Sequence, residues 1–466
     1  MTGTGIPTPK TLQQAIDAAG GPIDLLRTSN MGTTIFPGIP PEFTNWRDEQ
    51  RAWKESVALL EQSYHMTEMR LKGPDVMAFL SELGTNRFDT FAPMRGKQVI
   101  MTGPDGKMIS DAVVFREEED FLRVVGPPTA ANWVQFNAEK TDYDVNFERD
   151  ENMIVPRERR DVYRFQLQGP HALALMQEVT DGKLPDIKFF HIGEFKIGGK
   201  TVRALRHGMA GQPGFEVYGP WDEQQAVREI VEKAGEAYDL RKAGSVTYGT
   251  AAQESGWMPR PLPAIYEGEF MQSYREWIPA RSFEAAGSLG GSFVSSEISD
   301  YYVDPFEVGY GNFVNLDHDF IGRDALARMK ENQQRKKVTL VWDNTDVFDI
   351  LRQSLTIDGP RAKFISLPVP MYSSFQADAV MRNGKGIGIS NWMSYSSNAG
   401  SMLSTALIDM EHAEPGTEVT LLWGEPNSRR RTVEDHEVRE IRATVAPVPY
   451  FDKSIKSKAG DKTVAA

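Results

Sequence analysis

Residues 206–218 constrain the fold of this chain more than any other stretch of its sequence. The segment reads RHGMAGQPGFEVY, with three glycines and a proline before its last four residues. Glycine allows close backbone approaches, so the first part predicts a tight loop and the last four residues predict a strand. Glu216 alternates with Phe215 and Val217 there, so its carboxylate faces a cleft or solvent if those two face the core. Such a carboxylate can accept paired N–H donors from a flat heterocycle such as a pterin, and a solvated glutamate in a glycine-rich hairpin is the simpler alternative.

The composition is that of an ordinary soluble globular protein. The 466 residues exceed what one hydrophobic core supports and predict about two to four domains. Hydrophobic residues make up 40% and charged residues 25% of the chain, as in most folded proteins. The formal net charge of −13 disfavours nucleic acid as a partner, because the basic run at 429–431 is too short to offset it and predicts a solvated hairpin tip. An anionic substrate would need local cations within this negative field.

Membrane insertion and cysteine chemistry are disfavoured as well. No apolar run approaches the roughly 20 residues that span a bilayer, and residues 1–30 lack the charged-then-apolar pattern of a secretion signal. We therefore expect a cytoplasmic protein with no membrane partner. The chain contains no cysteine, which excludes disulfides, a thiolate nucleophile, iron–sulfur ligation and cysteine-bound zinc.

The N-terminal part, residues 1–154, predicts a mixed domain with two candidate polar residues. Thr44 and Asn45 are the candidate caps of a helix that we expect to run to about residue 62, through apolar residues at helical spacing. His65 follows at the expected helix-to-strand corner, where a histidine either contacts a ligand or makes a structural hydrogen bond. Asp111 directly precedes an apolar strand and either lines a site or belongs to a turn.

Residues 155–254 predict a small α+β middle domain. A highly charged stretch at 148–160 marks its beginning. Strands, a hairpin and helices follow in the order of a two-layer sandwich, and the amphipathic helix at 222–238 is the clearest of them. Tyr248, expected on an irregular turn, is a hydrogen-bond donor at neutral pH, since a phenol has a pKa of about 10. Trp257 either lines a ring-binding slot or caps the core.

Residues 335–452 predict a small β-barrel domain. Strand patterns and the glycines of bent sheets recur there, and helical patterns are nearly absent from 338 to 450. We expect residues 255–334 to complete the N-terminal domain. The lysine-, serine- and alanine-rich residues 453–466 predict a disordered tail. The predicted fold class is therefore α+β, in three domains.

Four short motifs occur in the order found in the glycine-cleavage T-protein, or aminomethyltransferase, superfamily, which this chain resembles over roughly residues 45–452. The motifs are SYHM at 63–66, GQPGFE at 211–216, DFIGRDAL at 319–326 and PVP at 447–449. The stretches that look like the bacterial tetrahydrofolate-dependent aryl O-demethylases, which act on vanillate or syringate from lignin breakdown, are 244–257, 261–266, 290–296 and 301–303. The resemblance implies a three-domain T-protein-like ring with a C-terminal β-barrel. It also implies tetrahydrofolate in a central channel, beside the methoxyarene.

The resemblance assigns the catalytic role to Tyr248 and places His65 and Gln62 in the aryl pocket. An aryl methyl ether reacts poorly because phenolate is a poor leaving group. A proton or hydrogen bond at the ether oxygen lowers the barrier to attack on the methyl carbon. Tyr248 is the expected donor, and His65 orients either Tyr248 or the substrate phenol. The implied reaction passes the methyl group to N5 of tetrahydrofolate, giving 5-methyltetrahydrofolate and a phenol, without a metal or an obligate protein partner.

Four residues match folate-side positions of the superfamily. Glu216 corresponds to the glutamate that holds the pterin. Gln166 and Trp257 match further positions around the folate. Asp111 falls where the aminomethyltransferases place an essential acid.

Three positions depart from the vanillate-type relatives and bear on substrate choice. Those relatives carry tyrosines where this chain has Thr34 and Phe36, and an arginine where it has Pro127. The smaller threonine leaves room for a second methoxy group, which favours syringate over vanillate or 3-O-methylgallate. Without the arginine, a benzoate carboxylate lacks its bidentate partner. Arg87 and Arg95 are candidate replacements.

Three other functions remain open. The first is an aminomethyltransferase, which would need a lipoyl-carrier partner, but the step after Gly211 lacks the acidic residue usual in that group. The second is a demethylase for a small sulfonium substrate, which would require an aromatic cation cage. The third is a non-catalytic scaffold that binds folate without transferring a methyl group.

Overall fold

The computed structural model describes residues 8–33, 36, 38–154, 159–357 and 360–451. Thr34 and the predicted tail at 453–466 lie outside the described residues. The α-helices of the described part are α1 (Leu12–Ala19), α2 (Pro22–Thr28), α3 (Trp46–Glu55), α4 (Val76–Leu83), α5 (Pro128–Ala138), α6 (Ala172–Val179), α7 (Gln224–Gly235), α8 (Ser245–Tyr248), α9 (Ala251–Ser255), α10 (Gln272–Trp277), α11 (Phe283–Ala286), α12 (Arg323–Lys330) and α13 (Asn344–Ser354). The strands of the same part are β1 (Val57–Glu61), β2 (Thr67–Lys72), β3 (Arg95–Thr102), β4 (Met108–Glu118), β5 (Phe121–Gly126), β6 (Asn146–Asp150), β7 (Val162–Gln168), β8 (Ile192–Ile197), β9 (Lys200–Arg206), β10 (Gly214–Pro220), β11 (Leu240–Ala243), β12 (Leu289–Gly290), β13 (Arg335–Trp342), β14 (Phe375–Gln376), β15 (Asp378–Arg382), β16 (Lys385–Ser396), β17 (Ser401–Asp409), β18 (Glu418–Trp423) and β19 (Arg439–Ala446).

These strands form two open sheets, one short pair and one closed barrel. Six strands make a middle sheet in the order β11-β1-β7-β10-β9-β8, and five make an N-terminal sheet in the order β3-β4-β5-β2-β6. The short pair is β12 and β14. The barrel closes in the order β13-β17-β16-β15-β18-β19. The predicted C-terminal barrel and the α+β fold class are therefore confirmed.

One face of the middle sheet is covered by α6 and α7. Apolar residues of alternate strand positions, such as Phe165, Phe215 and Val217, pack there against side chains of the two helices. The condition stated for Glu216, that Phe215 and Val217 face the core, is therefore met. Because side chains alternate along a strand, the residues between them point to the opposite face.

The largest hydrophobic core combines three separate parts of the sequence. It contains side chains from Leu12 to Phe136, from Leu262 to Tyr302 and from Phe375 to Ile389. The barrel strands enclose a second core, which includes Trp342 and Trp423. The exact domain boundaries stay a prediction, since residues 155–158 lie outside the described part.

The predicted helix that begins at Asn45 is shorter than expected. Asn45 does cap α3, and its side-chain oxygen accepts a hydrogen bond from the backbone N–H of Asp48 at 3.0 Å. The helix ends at Glu55, however, and β1 follows at once. The apolar residues of β1 pair with β11 on one side and β7 on the other. Hydrogen bonding to distant strands overrides the helical spacing of these residues.

Three smaller predictions are also corrected. The barrel region includes the helix α13, although we found almost no helical pattern in the sequence there. Tyr248 is the last residue of the short helix α8 instead of a turn residue. The basic run at 429–431 is only partly solvated, because Arg430 is 2% exposed and forms an ion pair with Glu425. No helix of the described residues is long and apolar enough to cross a bilayer.

Candidate active site

The loop before β10 is as tight as its glycines predict. A Cβ atom added to Gly208 would lie 1.7 Å from the carbonyl oxygen of Gln212, and one added to Gly214 would lie 2.2 Å from that of Leu167. Both approaches exclude a side chain. The loop therefore runs close against itself and against β7, and it leads directly into the strand that carries Glu216.

Glu216 and Gln166 lie side by side on the face of the middle sheet that points away from α6 and α7. The two residues are direct partners in the pairing of β10 with β7, and Leu60 of β1 lies opposite Gln166. Both polar residues are buried. The structure thus brings together two residues that we predicted to contact folate.

The side chains of Arg164 and His207 hold the Glu216 carboxylate. Arg164 Nη1 donates to Oε1 at 2.6 Å, and His207 Nε2 lies 2.7 Å from Oε2. Burial opposes ionisation, but the Arg164 charge and the bond from His207 outweigh it and lower the pKa of Glu216. A carboxylate offers about four acceptor sites, so further N–H donors of a ligand can still be accepted.

Several buried polar atoms on this face have no hydrogen-bond partner among the described residues. Gln166 Nε2 donates to the carbonyl oxygen of His207 at 3.4 Å, but Gln166 Oε1 and Gln168 Nε2 are unpaired. Unpaired buried polar atoms are costly and rare in native proteins. A pterin carries ring N–H groups and acceptors on one edge, so the residues present fit tetrahydrofolate as a ligand of this face.

A ladder of buried charges connects Glu216 to the N-terminal sheet. Arg164, which already binds Glu216, also contacts Glu68 at 3.0 Å. Glu68 lies 3.1 Å from Arg123, and Arg123 lies 3.1 Å from Glu117. Glu117 in turn binds Arg203 of the middle sheet at 2.8 Å. Opposite charges therefore alternate from one sheet to the other and hold Arg164 in place.

Tyr248 is hydrogen-bonded to Gln62, as expected for two residues of one pocket. Gln62 Nε2 donates to the Tyr248 hydroxyl oxygen at 3.1 Å. Burial raises the pKa of Tyr248 well above its ordinary value, and the charges of Glu216 and Glu61 add to this effect. Tyr248 is therefore a neutral phenol at physiological pH, and Gln62 Oε1 is buried without a partner in the described part of the chain.

His65 completes an aromatic corner with Phe36 and Tyr248. Its ring centroid lies 4.9 Å from that of Phe36 and 4.8 Å from that of Tyr248, both in edge-on contact. Burial and the charges of Arg160 and Arg260 lower the pKa of His65 to about 3. Both ring nitrogens are buried and lack partners among the described residues. A neutral imidazole with two free nitrogens can donate one hydrogen bond and accept another.

Asp111 and Trp257, both predicted on the folate side, are in direct contact. Trp257 Nε1 donates to Asp111 Oδ2 at 3.1 Å. The same oxygen accepts from Gln98 at 2.7 Å and from the Tyr310 hydroxyl at 3.0 Å. Burial raises the pKa of Asp111, and these three hydrogen bonds oppose that effect. The three donors on Oδ2 fix the orientation of the carboxylate and therefore the direction in which the other oxygen, Oδ1, points.

The remaining predicted positions lie at the edges of this arrangement. Pro127 precedes α5 and follows Gly126, whose partner in β2 is Thr67, two residues after His65. Arg87 is exposed and makes two hydrogen bonds to Asp89, at 2.6 and 2.7 Å.

Sequence reasoning did not identify Arg164, His207, Gln98 or Tyr310 as site residues. A signal existed for the first: β7 reads VYRFQLQ, with polar residues at every second position of a strand that is otherwise apolar. In a buried strand this alternation indicates a polar face. Tyr310 gave no comparable signal, because it reaches Asp111 from a segment about 200 residues away.

Comparison with known proteins places this arrangement in context. Residues 31–259 match the family described as the GCVT N-terminal domain. The chain is 44% identical to a syringate O-demethylase from Sphingobium sp. (strain NBRC 103272 / SYK-6), covering 95% of this chain and 96% of that protein. It is 29% identical to a sesamin methylene transferase from Sinomonas sp. (strain No.22), over 90% of this chain and 91% of that one.

More distant similarity extends to the aminomethyltransferases. An aminomethyltransferase from Bacillus subtilis (strain 168) is 24% identical over 92% of this chain and 98% of its own length. The crystal structure of the glycine cleavage system aminomethyltransferase T from Bartonella henselae shares the fold, with a TM-score of 0.60 at 15% identity, over 91% of this chain and 95% of that one. The chain belongs to the glycine-cleavage T-protein superfamily, in the branch of the tetrahydrofolate-dependent aryl O-demethylases.

Proposed function

We propose that this protein removes a methyl group from a syringate-like methoxyarene and passes it to N5 of tetrahydrofolate. The products are 5-methyltetrahydrofolate and a phenol. The observation that carries this proposal is the pocket in which Tyr248, His65 and Phe36 meet, with Gln62 bonded to the Tyr248 hydroxyl. Aromatic rings and unpaired polar atoms in one buried corner suit a flat phenolic substrate.

Tyr248 stabilises the leaving oxygen through its hydroxyl proton. Gln62 supplies the proton in the bond between the two side chains, so the proton of Tyr248 remains available to a ligand. The raised pKa makes Tyr248 a weaker acid than an ordinary phenol. Tyr248 therefore contributes a hydrogen bond to the developing phenolate rather than a full proton transfer. Such a donor accelerates a reaction by about 10²–10³-fold.

His65 positions the substrate without carrying charge. Its low pKa keeps the imidazole neutral throughout the physiological range. One ring nitrogen can accept from the phenolic hydroxyl beside the methoxy group, and the other can donate to a second substituent. His65 therefore selects the orientation that presents the ether oxygen to Tyr248.

On the folate side, Glu216 and Gln166 would hold the pterin edge, and Asp111 and Trp257 would line the same side. Tetrahydrofolate, when bound, supplies the nucleophilic nitrogen that accepts the methyl group. Glu216 is kept ionised by Arg164 and can accept ring N–H donors. Most of the acceleration then comes from holding both reactants in line in an enclosed space.

Substrate choice follows from the differences noted in the sequence. Thr34 and Phe36 leave more room than two tyrosines would, which favours syringate over vanillate and 3-O-methylgallate. The donor and the acceptor are both small molecules, so no carrier protein is required. We place this reaction in the cytoplasm, in the breakdown of lignin-derived aromatic compounds.

The proposal is tested by detecting 5-methyltetrahydrofolate by mass spectrometry. Purified protein is incubated with tetrahydrofolate and, separately, syringate, vanillate, 3-O-methylgallate or guaiacol. We expect methylfolate with syringate as the fastest donor. Absence of methylfolate with every donor, together with retained folate binding, would instead support a folate-binding scaffold.

A further inference from the structure

Arg260 is a partly buried cation that has no anionic partner among the described residues. No hydrogen bond or ion pair joins its guanidinium to any of them, whereas the buried arginines Arg160 and Arg164 each bind a carboxylate. Burial alone lowers the pKa of Arg260, to about 10, with no opposing carboxylate. A buried charge without a counter-ion is costly.

The side chain of Arg260 keeps part of its surface accessible. Its accessibility is intermediate between that of buried and exposed residues, although burial depresses its pKa. A ligand can therefore reach the guanidinium of this side chain. Its guanidinium carbon lies 5.1 Å from the centre of the Trp392 ring, which supports one face of the group and leaves its edge free.

The Arg260 side chain lies close to the pocket of the proposed reaction. Trp392 donates from its indole nitrogen to the carbonyl oxygen of Gly249, the residue next to Tyr248. The Arg260 charge also lowers the pKa of His65, and His65 contacts Tyr248 directly. Arg260 thus reaches the site from the side of the barrel, whereas Pro127 lies beside the N-terminal sheet.

We propose that Arg260 binds the carboxylate of the aromatic substrate and is the residue that selects methoxybenzoates over neutral methoxyphenols. This assignment rests on the proposed function for the identity of the ligand. A planar guanidinium can bind a benzoate carboxylate through two parallel hydrogen bonds. It also supplies the local positive charge that an anionic substrate needs in a chain of net charge −13.

Tetrahydrofolate is a second source of carboxylates, through its glutamate tail. The position of Arg260 favours the aromatic substrate, because Arg260 lies on the Trp392 ring and Trp392 is hydrogen-bonded to the residue next to Tyr248. The two sources are separated by measuring each ligand on its own.

The test compares syringate with 2,6-dimethoxyphenol, which has the same ring substituents but no carboxylate. Binding of each compound, and of tetrahydrofolate, is measured by titration calorimetry with the wild type, Arg260→Met and Arg260→Lys. Arg281→Met, at an exposed arginine, is the matched control. Circular dichroism checks that each variant is folded.

We expect the wild type to bind syringate more tightly than 2,6-dimethoxyphenol. Arg260→Met should weaken syringate binding about 10- to 100-fold, the effect of a charged two-point hydrogen bond, and leave 2,6-dimethoxyphenol and tetrahydrofolate unchanged. The syringate affinity of Arg260→Lys should fall between those of the wild type and Arg260→Met, and the affinity of Arg281→Met should match that of the wild type.

Equal weakening of both aromatic compounds, or of neither, would overturn the assignment. So would a loss confined to tetrahydrofolate, which would assign Arg260 to the glutamate tail. A wild type that binds syringate through Arg260 but forms no methylfolate would refute the proposed function and leave this assignment in place.

Discussion

The amide nitrogen of Gln62 lies 3.1 Å from the hydroxyl oxygen of Tyr248. Gln62 follows the first strand of the middle sheet along the chain, and Tyr248 follows the last. Gln62 follows β1 directly, and Tyr248 ends α8 soon after β11, the strand that runs parallel to β1. Parallel pairing therefore brings the two residues to the same edge of the sheet. The hydroxyl that we propose as catalytic is therefore bonded to a neighbour more than 180 residues away in sequence.

Replacing Tyr248 with phenylalanine should remove turnover while keeping the pocket intact. We expect kcat to fall about 10²–10³-fold, because one donor to the developing oxyanion is lost. Folate affinity should stay within about twofold, since no hydrogen bond among the described residues joins Tyr248 to Glu216 or Gln166. Single-turnover formation of methylfolate measures the first effect and calorimetry the second. Tyr143→Phe, in the N-terminal core beside Phe79, is the control, and full activity of Tyr248→Phe would disprove the role of the hydroxyl.

Replacing Glu216 with glutamine should separate folate binding from substrate binding. We expect the Kd for tetrahydrofolate to rise about 10- to 100-fold, since hydrogen bonds to a charged acceptor are lost. Syringate affinity should change little, which calorimetry can show on the same sample. Glu229→Gln, on the exposed side of α7, should behave like the wild type. An unchanged folate titration for Glu216→Gln would contradict the pterin contact.

His65 should remain neutral well below the pH at which ordinary histidines ionise. Its pKa of about 3 lies below the ordinary value of 6.5, so no His65 titration is expected between pH 8 and 5. In the unfolded chain, His65 is protonated near its ordinary pKa of 6.5. The contribution of His65 to the free energy of unfolding is therefore fully present above pH 6.5 and declines as the pH falls toward 3. Nitrogen NMR of the histidine-labelled protein, with His65→Gln to assign the signal, measures this directly. A His65 signal that titrates near pH 6.5 would refute the prediction.

The charge ladder should make the fold sensitive to acid at Glu68. Burial alone would raise the pKa of Glu68, but Arg164 and Arg123 outweigh it and lower the value to about 2, from an ordinary 4.5. A carboxylate with a depressed pKa stabilises the fold above its unfolded pKa and loses that effect as the pH falls through its folded pKa. The shift corresponds to about 3 kcal/mol.

Urea unfolding of the wild type and of Glu68→Gln at several pH values tests this expectation. The difference between the two proteins in the free energy of unfolding should be constant above pH 5 and shrink between pH 4.5 and 2. Glu148→Gln, whose carboxylate lies on the surface, serves as the control. A difference that does not vary with pH would show that Glu68 acts through packing alone.

The sequence was sufficient to predict the barrel and the strand in which Glu216 alternates with Phe215 and Val217. Alternation with Phe215 and Val217 is a local property of one strand, and it survives in the folded protein. The end of α3 could not be predicted in the same way. Val57, Ala58 and Leu60 satisfy a helical spacing, but they become a strand because β7 and β11 bind them from both sides. Pairing with strands about 100 and 180 residues away is not visible in a short window of sequence.

The partners of the site residues were harder to predict than the residues themselves. Arg164 fixes Glu216, and Tyr310 fixes Asp111, through contacts that only the folded chain creates. Arg260 gave no signal at all, because its distinguishing property is the lack of a partner. That property is defined by the three-dimensional surroundings of the side chain and by nothing in its own segment.

The insertion of β1 between β7 and β11 has a consequence for how the protein can be divided. A fragment that begins at residue 155 would keep five of the six strands of the middle sheet, with a gap at the position of β1. The same missing strand delivers Gln62, and His65 follows it. Removing the residues before that boundary would therefore leave the sheet incomplete and take away two residues of the proposed substrate pocket in a single event.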